Sequence, residues 1–134
     1  MMGLRRDFDL LPVDEAFLQD YGLPWETVAD GDQWLLIHDF PTSEGYTENK
    51  AFAAIRLTTG YPNAALDMVY FFPRLVRVDG KPIGATTGTQ KIDGNDFQQW
   101  SRHRTTQNPW RAGVDNLGTH IILVEDWLER EFEK

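Results

Sequence analysis

A chain of 134 residues, 41% hydrophobic and 25% charged, has the size and composition of one globular domain and not of a disordered or membrane-spanning protein. Its net charge of −8 opposes binding to nucleic acid or to an anionic membrane surface, and the absence of cysteine excludes disulfides, thiolate metal sites and every cysteine-nucleophile mechanism. No apolar run approaches the roughly 20 residues that cross a bilayer, and the opening Met1-Met2-Gly3-Leu4-Arg5-Arg6-Asp7 has no apolar stretch after its charges, so a cytoplasmic location is expected.

In chain order, residues 1–134 read as a single domain, with residues 1–10 open to disorder. Residues 12–22 predict a short helix. Val13, Phe17 and Tyr21 recur every four residues, acids occupy the first turn, and Gly22 can end it. Three strands are expected at 34–40, 51–57 and 66–72, each an apolar or aromatic run closed by Pro, Gly or Thr signals. A weaker extended stretch covers 75–78 before the Asp79-Gly80 turn. From Pro82 to Asn108 the chain is rich in Gly, Thr, Asn, Gln and Asp with little periodicity, and a long irregular segment of that kind tends to carry function.

Val114, Leu117, Ile121, Val124 and Leu128 then follow a three-four spacing that predicts a helix over 114–132, with His120 and Trp127 beside the stripe. At the usual rise per residue it is about 30 Å long, enough to cross one face of a sheet. Sequential strands with short connections favour an antiparallel meander of three or four strands packed by the two helices, an α+β fold.

Gly60-Tyr61-Pro62-Asn63-Ala64-Ala65-Leu66-Asp67-Met68-Val69-Tyr70-Phe71 places a Tyr-Pro turn before an apolar strand, after an opening helix and two strands. Together with Trp100-Ser101-Arg102-His103-Arg104 and Asn108-Pro109-Trp110-Arg111-Ala112-Gly113-Val114-Asp115, this order resembles ubiquitin-conjugating enzymes, and within them the bacterial branch called family E. The resemblance runs from about Leu11 to Leu128. It implies the fold of those enzymes and a place in a ubiquitin-like conjugation pathway. The implied partners are a ubiquitin-like protein and a protein like the ubiquitin-activating enzymes, since members are encoded beside both and beside JAB-type peptidases.

The chain departs from the pattern at its centre. Classical members of the superfamily carry a catalytic cysteine preceded by a His-Pro-Asn tripeptide whose Asn stabilises the oxyanion, and neither is present. Thr86-Thr87-Gly88-Thr89-Gln90, Asp93-Gly94-Asn95-Asp96 and then Trp100 to Arg104 fill that region. Thioester transfer is therefore impossible, and any chemistry must use a hydroxyl or a proton-transfer group.

Between Phe97 and Val114 there is no Asp or Glu, although the protein is strongly acidic, and the same window holds Arg102, His103, Arg104 and Arg111. Such an island suits a carboxylate tail or a phosphate, because Arg offers a planar bidentate donor fork. Pairing with nearby acids is the equal alternative. Ser101 and His103 read as nucleophile and general base, since serine needs a neighbouring base and histidine titrates in the right range. Residues two apart face one way only in an extended or looped chain. Asp93, Asp96 and Asp115 are the candidate orienters of His103, and a solvent-facing serine beside a structural histidine is the alternative.

Trp100 and Trp110 frame the island and either pack in the core or wall a groove for a peptide tail. His38 and His120 read as structural. The three histidines lack metal spacing and Gly80, Gly84, Gly88 and Gly94 do not form a phosphate loop, so neither metal nor other cofactor is expected. Three functions compete: acceptance of a ubiquitin-like tail as an oxyester on Ser101, a non-catalytic adaptor that binds the tail, and a small hydrolase or metal enzyme built on His103 and Asp residues.

Overall fold

The computed structural model describes residues 3–133. Helix α1 (Pro12–Tyr21) is followed by strands β1 (Trp25–Asp30), β2 (Asp32–Pro41), β3 (Lys50–Arg56), β4 (Val69–Phe72), β5 (Thr89–Ile92) and β6 (Asn95–Trp100). Helix α2 (Leu117–Arg130) and a 3-10 turn (Glu131–Glu133) close the chain. The strands form one antiparallel sheet in the order β1-β2-β3-β4-β6-β5. The expected α+β architecture of the ubiquitin-conjugating fold is present, with a helix at each end and an antiparallel sheet between them, of which β1 to β4 form the meander and β6 adds beside β4.

Two parts of the sheet escape the sequence pattern. Strand β1 alternates with the charged Glu26 and Asp30, so it lacks the continuous apolar run that marks β2. Glu26 is tolerated near the sheet because Arg5 donates to it at 2.9 Å and His38 Nε2 lies 2.7 Å from it. The segment read as a long irregular loop, 82–108, contains the β5–β6 hairpin. Its turn is Asp93-Gly94, with φ of 53° and 83°, between the paired Ile92 and Asn95. A two-residue turn whose twist matches the strands needs positive φ at both positions, which Asp-Gly supplies at little cost. The stretch 75–78 is not a strand and makes only an isolated bridge between Arg77 and Tyr46.

The helix boundaries follow local chemistry. Helix α2 begins at Leu117 and not at Val114, because Asn116 caps it: Thr119 N donates to the Asn116 side chain at 3.1 Å, and Asn116 N donates to Thr119 Oγ1 at 3.0 Å. Val114 is exposed. In α1 the inward face carries Asp14 and Leu18, whereas Val13 is exposed. Asp14 is buried because Tyr61 Oη donates to it at 2.6 Å and the N–H of Leu117, the first residue of α2, reaches it at 3.3 Å. A carboxylate at that helix start meets both unsatisfied donors and the positive end of the dipole.

Both faces of the sheet are covered. On the helix side Leu35, Ile37, Ala53, Ile55, Val69, Phe71 and Trp100 pack with Leu18, Leu117, Ile121, Val124 and Leu128. On the other side Val28, Trp34, Leu36, Ala54, Tyr70, Ile92 and Phe97 form a second cluster. Residues 3–10 run along β1, where Thr27 N donates to the Arg5 carbonyl at 3.1 Å. Arg5 also meets Asp93 of the β5–β6 turn at 2.6 Å. This double burial explains why β2 and β4 read as continuous apolar runs and not as alternating ones. Among the described residues no helix is long and apolar enough to cross a membrane.

Candidate functional site

The adjacency of β4 and β6 builds the site. These strands pair with Val69 opposite Trp100, and the ladder runs on beyond their ends as Met68 N donates to the Arg102 carbonyl at 3.1 Å. After Trp100 the chain leaves the strand without entering a helix, so Ser101 and His103 fall on one side, as their chemistry requires. Ser101 Oγ lies 3.2 Å from His103 Nε2, and His103 Nδ1 lies 2.8 Å from Asp67 Oδ2. Serine, imidazole and carboxylate thus form one line, with the hydroxyl on one ring nitrogen and the carboxylate on the other. An acid on Nδ1 holds the N–H there, which leaves Nε2 as the base toward the serine hydroxyl.

Asp67 is the residue that sequence reasoning missed. It stands two positions before the start of β4 and 36 positions from His103. Its only signal is its place just ahead of a strand whose neighbour is β6, and that neighbour lies inside the segment read as irregular. The acids expected as orienters are engaged elsewhere. Asp93 is held by Arg5 at 2.6 Å, Asp96 stands 3.6 Å from Lys91, and Asp115 accepts from Arg111 N at 2.8 Å and faces Arg104 at 3.7 Å. Arg5 holds the Asp93 carboxyl below the usual carboxylate range.

Ser101 is anchored through its backbone, where its N–H donates to the Ala85 carbonyl at 3.0 Å. Arg102 Nη1 donates to the neighbouring Gly84 carbonyl at 2.9 Å. The loop 83–87 therefore flanks the serine. The triad itself is open: the side chains of His103 and Asp67 are 59% and 44% exposed.

The expected cationic patch is corrected at two of its three arginines. Arg102 and Arg104 keep only 12% and 10% of their side-chain surface in solvent. Arg102 meets buried Glu131 at 3.2 Å, while Arg104 faces Asp115 and lies over the Trp110 ring at 4.9 Å. Burial forces such pairing, because a lone guanidinium in the interior lacks its hydration. Arg111 is exposed. Trp100 is fully buried, with its indole N–H on Gln98 at 3.0 Å, so it is core and walls no groove. Trp110 is half-buried against Tyr61 and donates to the Pro62 carbonyl at 2.9 Å.

His38 and His120 have structural surroundings. His38 is half-buried and bonded to Glu26, whereas His120 is fully buried, its Nε2 2.9 Å from the Met68 carbonyl. That contact fixes the residue after Asp67 from below. Burial pushes the His120 pKa down to about 4, with the Met68 bond acting the other way and the Arg104 charge adding to the drop. An unfolded histidine near 6.5 takes a proton first, so the unfolded state binds more protons between the two values. The contribution of neutral His120 to stability is then complete above about pH 6.5, and its loss as pH drops through about 4 should amount to about 3 kcal/mol. Urea denaturation at stepped pH should show that slope, and His120→Gln should flatten it. An unchanged slope would remove His120 as its source. Among the described residues no group of three or more His, Asp or Glu could hold a metal ion.

Residues 10–131 match the model of the family described as Prokaryotic E2 family E. No curated protein and no solved structure matches the chain.

Proposed function

The chain belongs to prokaryotic E2 family E, and from that premise we propose that it receives the C-terminal tail of a ubiquitin-like protein as an oxyester on Ser101. Family membership supports a part in ubiquitin-like conjugation and contact with a ubiquitin-like protein. The particular role rests on one observation, the Ser101–His103–Asp67 line of hydrogen bonds at 3.2 and 2.8 Å. The absence of cysteine excludes a thioester on this chain, and an ester there needs a hydroxyl.

In the transfer, an activating-enzyme-like partner presents the tail as a thioester. Ser101 Oγ attacks the carbonyl carbon while its proton moves to His103 Nε2. The thiolate leaves and takes up that proton. Asp67 stabilises the imidazolium formed in between.

Incubating the protein with ATP, the cognate activating enzyme and the ubiquitin-like protein should give an adduct that survives thiol reductant. Mild hydroxylamine or alkali should remove it, and Ser101→Ala should abolish it. Thr105, Thr106 and Thr89 are the next hydroxyls if Ser101→Ala still reacts. Binding of the partner without any adduct would leave the protein as an adaptor and end the oxyester reading.

A further inference from the structure

We propose that the same triad hydrolyses acyl esters and thioesters, passing an acyl group from Ser101 to water. This activity rests on the reading of Ser101 as nucleophile given above, and it needs no conjugation partner. Before acylation His103 Nε2 faces the Ser101 hydroxyl at 3.2 Å, and the proton it takes comes from there. Once Ser101 is esterified its oxygen has no proton to give, and the same nitrogen is left facing the ester. A water molecule is then the natural donor to Nε2, because Asp67 still holds the ring in the same tautomer at 2.8 Å.

Water has access. More than half of the His103 side chain is in solvent, and residues 105–109 that follow it are exposed as well. An enzyme that must deliver an acyl group to an amine gains by excluding water from the intermediate, and this site is open. An oxyester also yields to amines more slowly than a thioester does, because alkoxide is the poorer leaving group, so activated water competes on favourable terms.

The bonds balance without an oxidant or reductant. In acylation the Oγ–H bond breaks and the Oγ–C bond forms, and the proton passes through Nε2 to the departing alcohol or thiol. In deacylation water forms the new C–O bond and gives its proton to Nε2. That proton returns to Oγ as the C–Oγ bond breaks, and a carboxylic acid leaves.

Two probes applied to the full chain test this. p-Nitrophenyl acetate reads turnover, and diisopropyl fluorophosphate labels an activated serine irrespective of how fast an acyl group would leave. The expected result is many turnovers per chain and a phosphoryl label on Ser101. Ser101→Ala, melting like the parent, should lose both, and His103→Ala should reduce both by roughly 10²–10⁴-fold. A label on Ser101 with release limited to one equivalent would overturn the hydrolysis and leave the nucleophile in place. Neither label nor turnover would overturn both the hydrolysis and Ser101 as nucleophile. Turnover unchanged in Ser101→Ala would assign it to another group and overturn the proposal.

Discussion

Replacing His103 by alanine should slow esterification of Ser101 by roughly 10²–10⁴-fold, the usual contribution of a positioned general base. The serine hydroxyl would then have to lose its proton to water, with no group 3.2 Å away to receive it. Asp67→Asn should slow the same step by a different route. An amide can donate to Nδ1, which moves the ring proton to Nε2 and turns the base away from the serine. Single-turnover rates, read by quenching the adduct with acid, separate the two variants from the parent. The His103 and Asp67 side chains are 59% and 44% exposed and neither is part of the core, so thermal stability should move little. A His103→Ala rate within a few-fold of the parent would mean that Ser101 draws no help from that imidazole, and the triad would be a surface hydrogen-bond chain only.

Arg102→Glu should cost about 3–5 kcal/mol of folding stability, the range for breaking a buried ion pair. Glu131 is 3% exposed and meets Arg102 at 3.2 Å and Arg77 at 3.6 Å. Reversal at 102 sets a second carboxylate against it, removes the donor to the Gly84 carbonyl, and uncovers the ring of Trp100, over which the guanidinium lies at 4.9 Å. Arg111→Glu, on an exposed side chain, should stay within about 0.5 kcal/mol. Urea denaturation of the two variants at neutral pH makes the comparison. A loss under 1 kcal/mol at Arg102 would return it to the surface patch that the acid-free window suggests. A collapse at Arg102 beside silence at Arg111 assigns the former to the scaffold and leaves the latter available to a partner.

Elements whose signals are local can be read directly from the chain. Periodicity marks α1 and α2, continuous apolar runs mark β2, β3 and β4, and the missing cysteine alone removes thioester chemistry. The Tyr-Pro turn and the Trp-Ser-Arg-His run, taken in order, point to the family that residues 10–131 match. Even the Ser101–His103 pair is legible, because two residues apart is a short-range relation that an extended chain satisfies. Asp93-Gly94 is a local signal of the same kind, hidden by the polar composition around it, and its positive φ values close the β5–β6 hairpin.

The long-range pairings belong to the assembled fold. Asp67 joins His103 because β4 lies beside β6, a neighbour relation set by sheet order and invisible in any window of sequence. Asp14 is buried because the start of α2 and Tyr61 both need an acceptor there. Arg102 is drawn inward by Glu131 and Arg104 by Asp115, acids that lie outside the acid-free window in which the two arginines look unpaired. In each case the sequence displays a charge beside its neighbours along the chain, whereas its energy is set by its neighbours in space, where desolvation makes an unpaired group costly and a distant partner decisive.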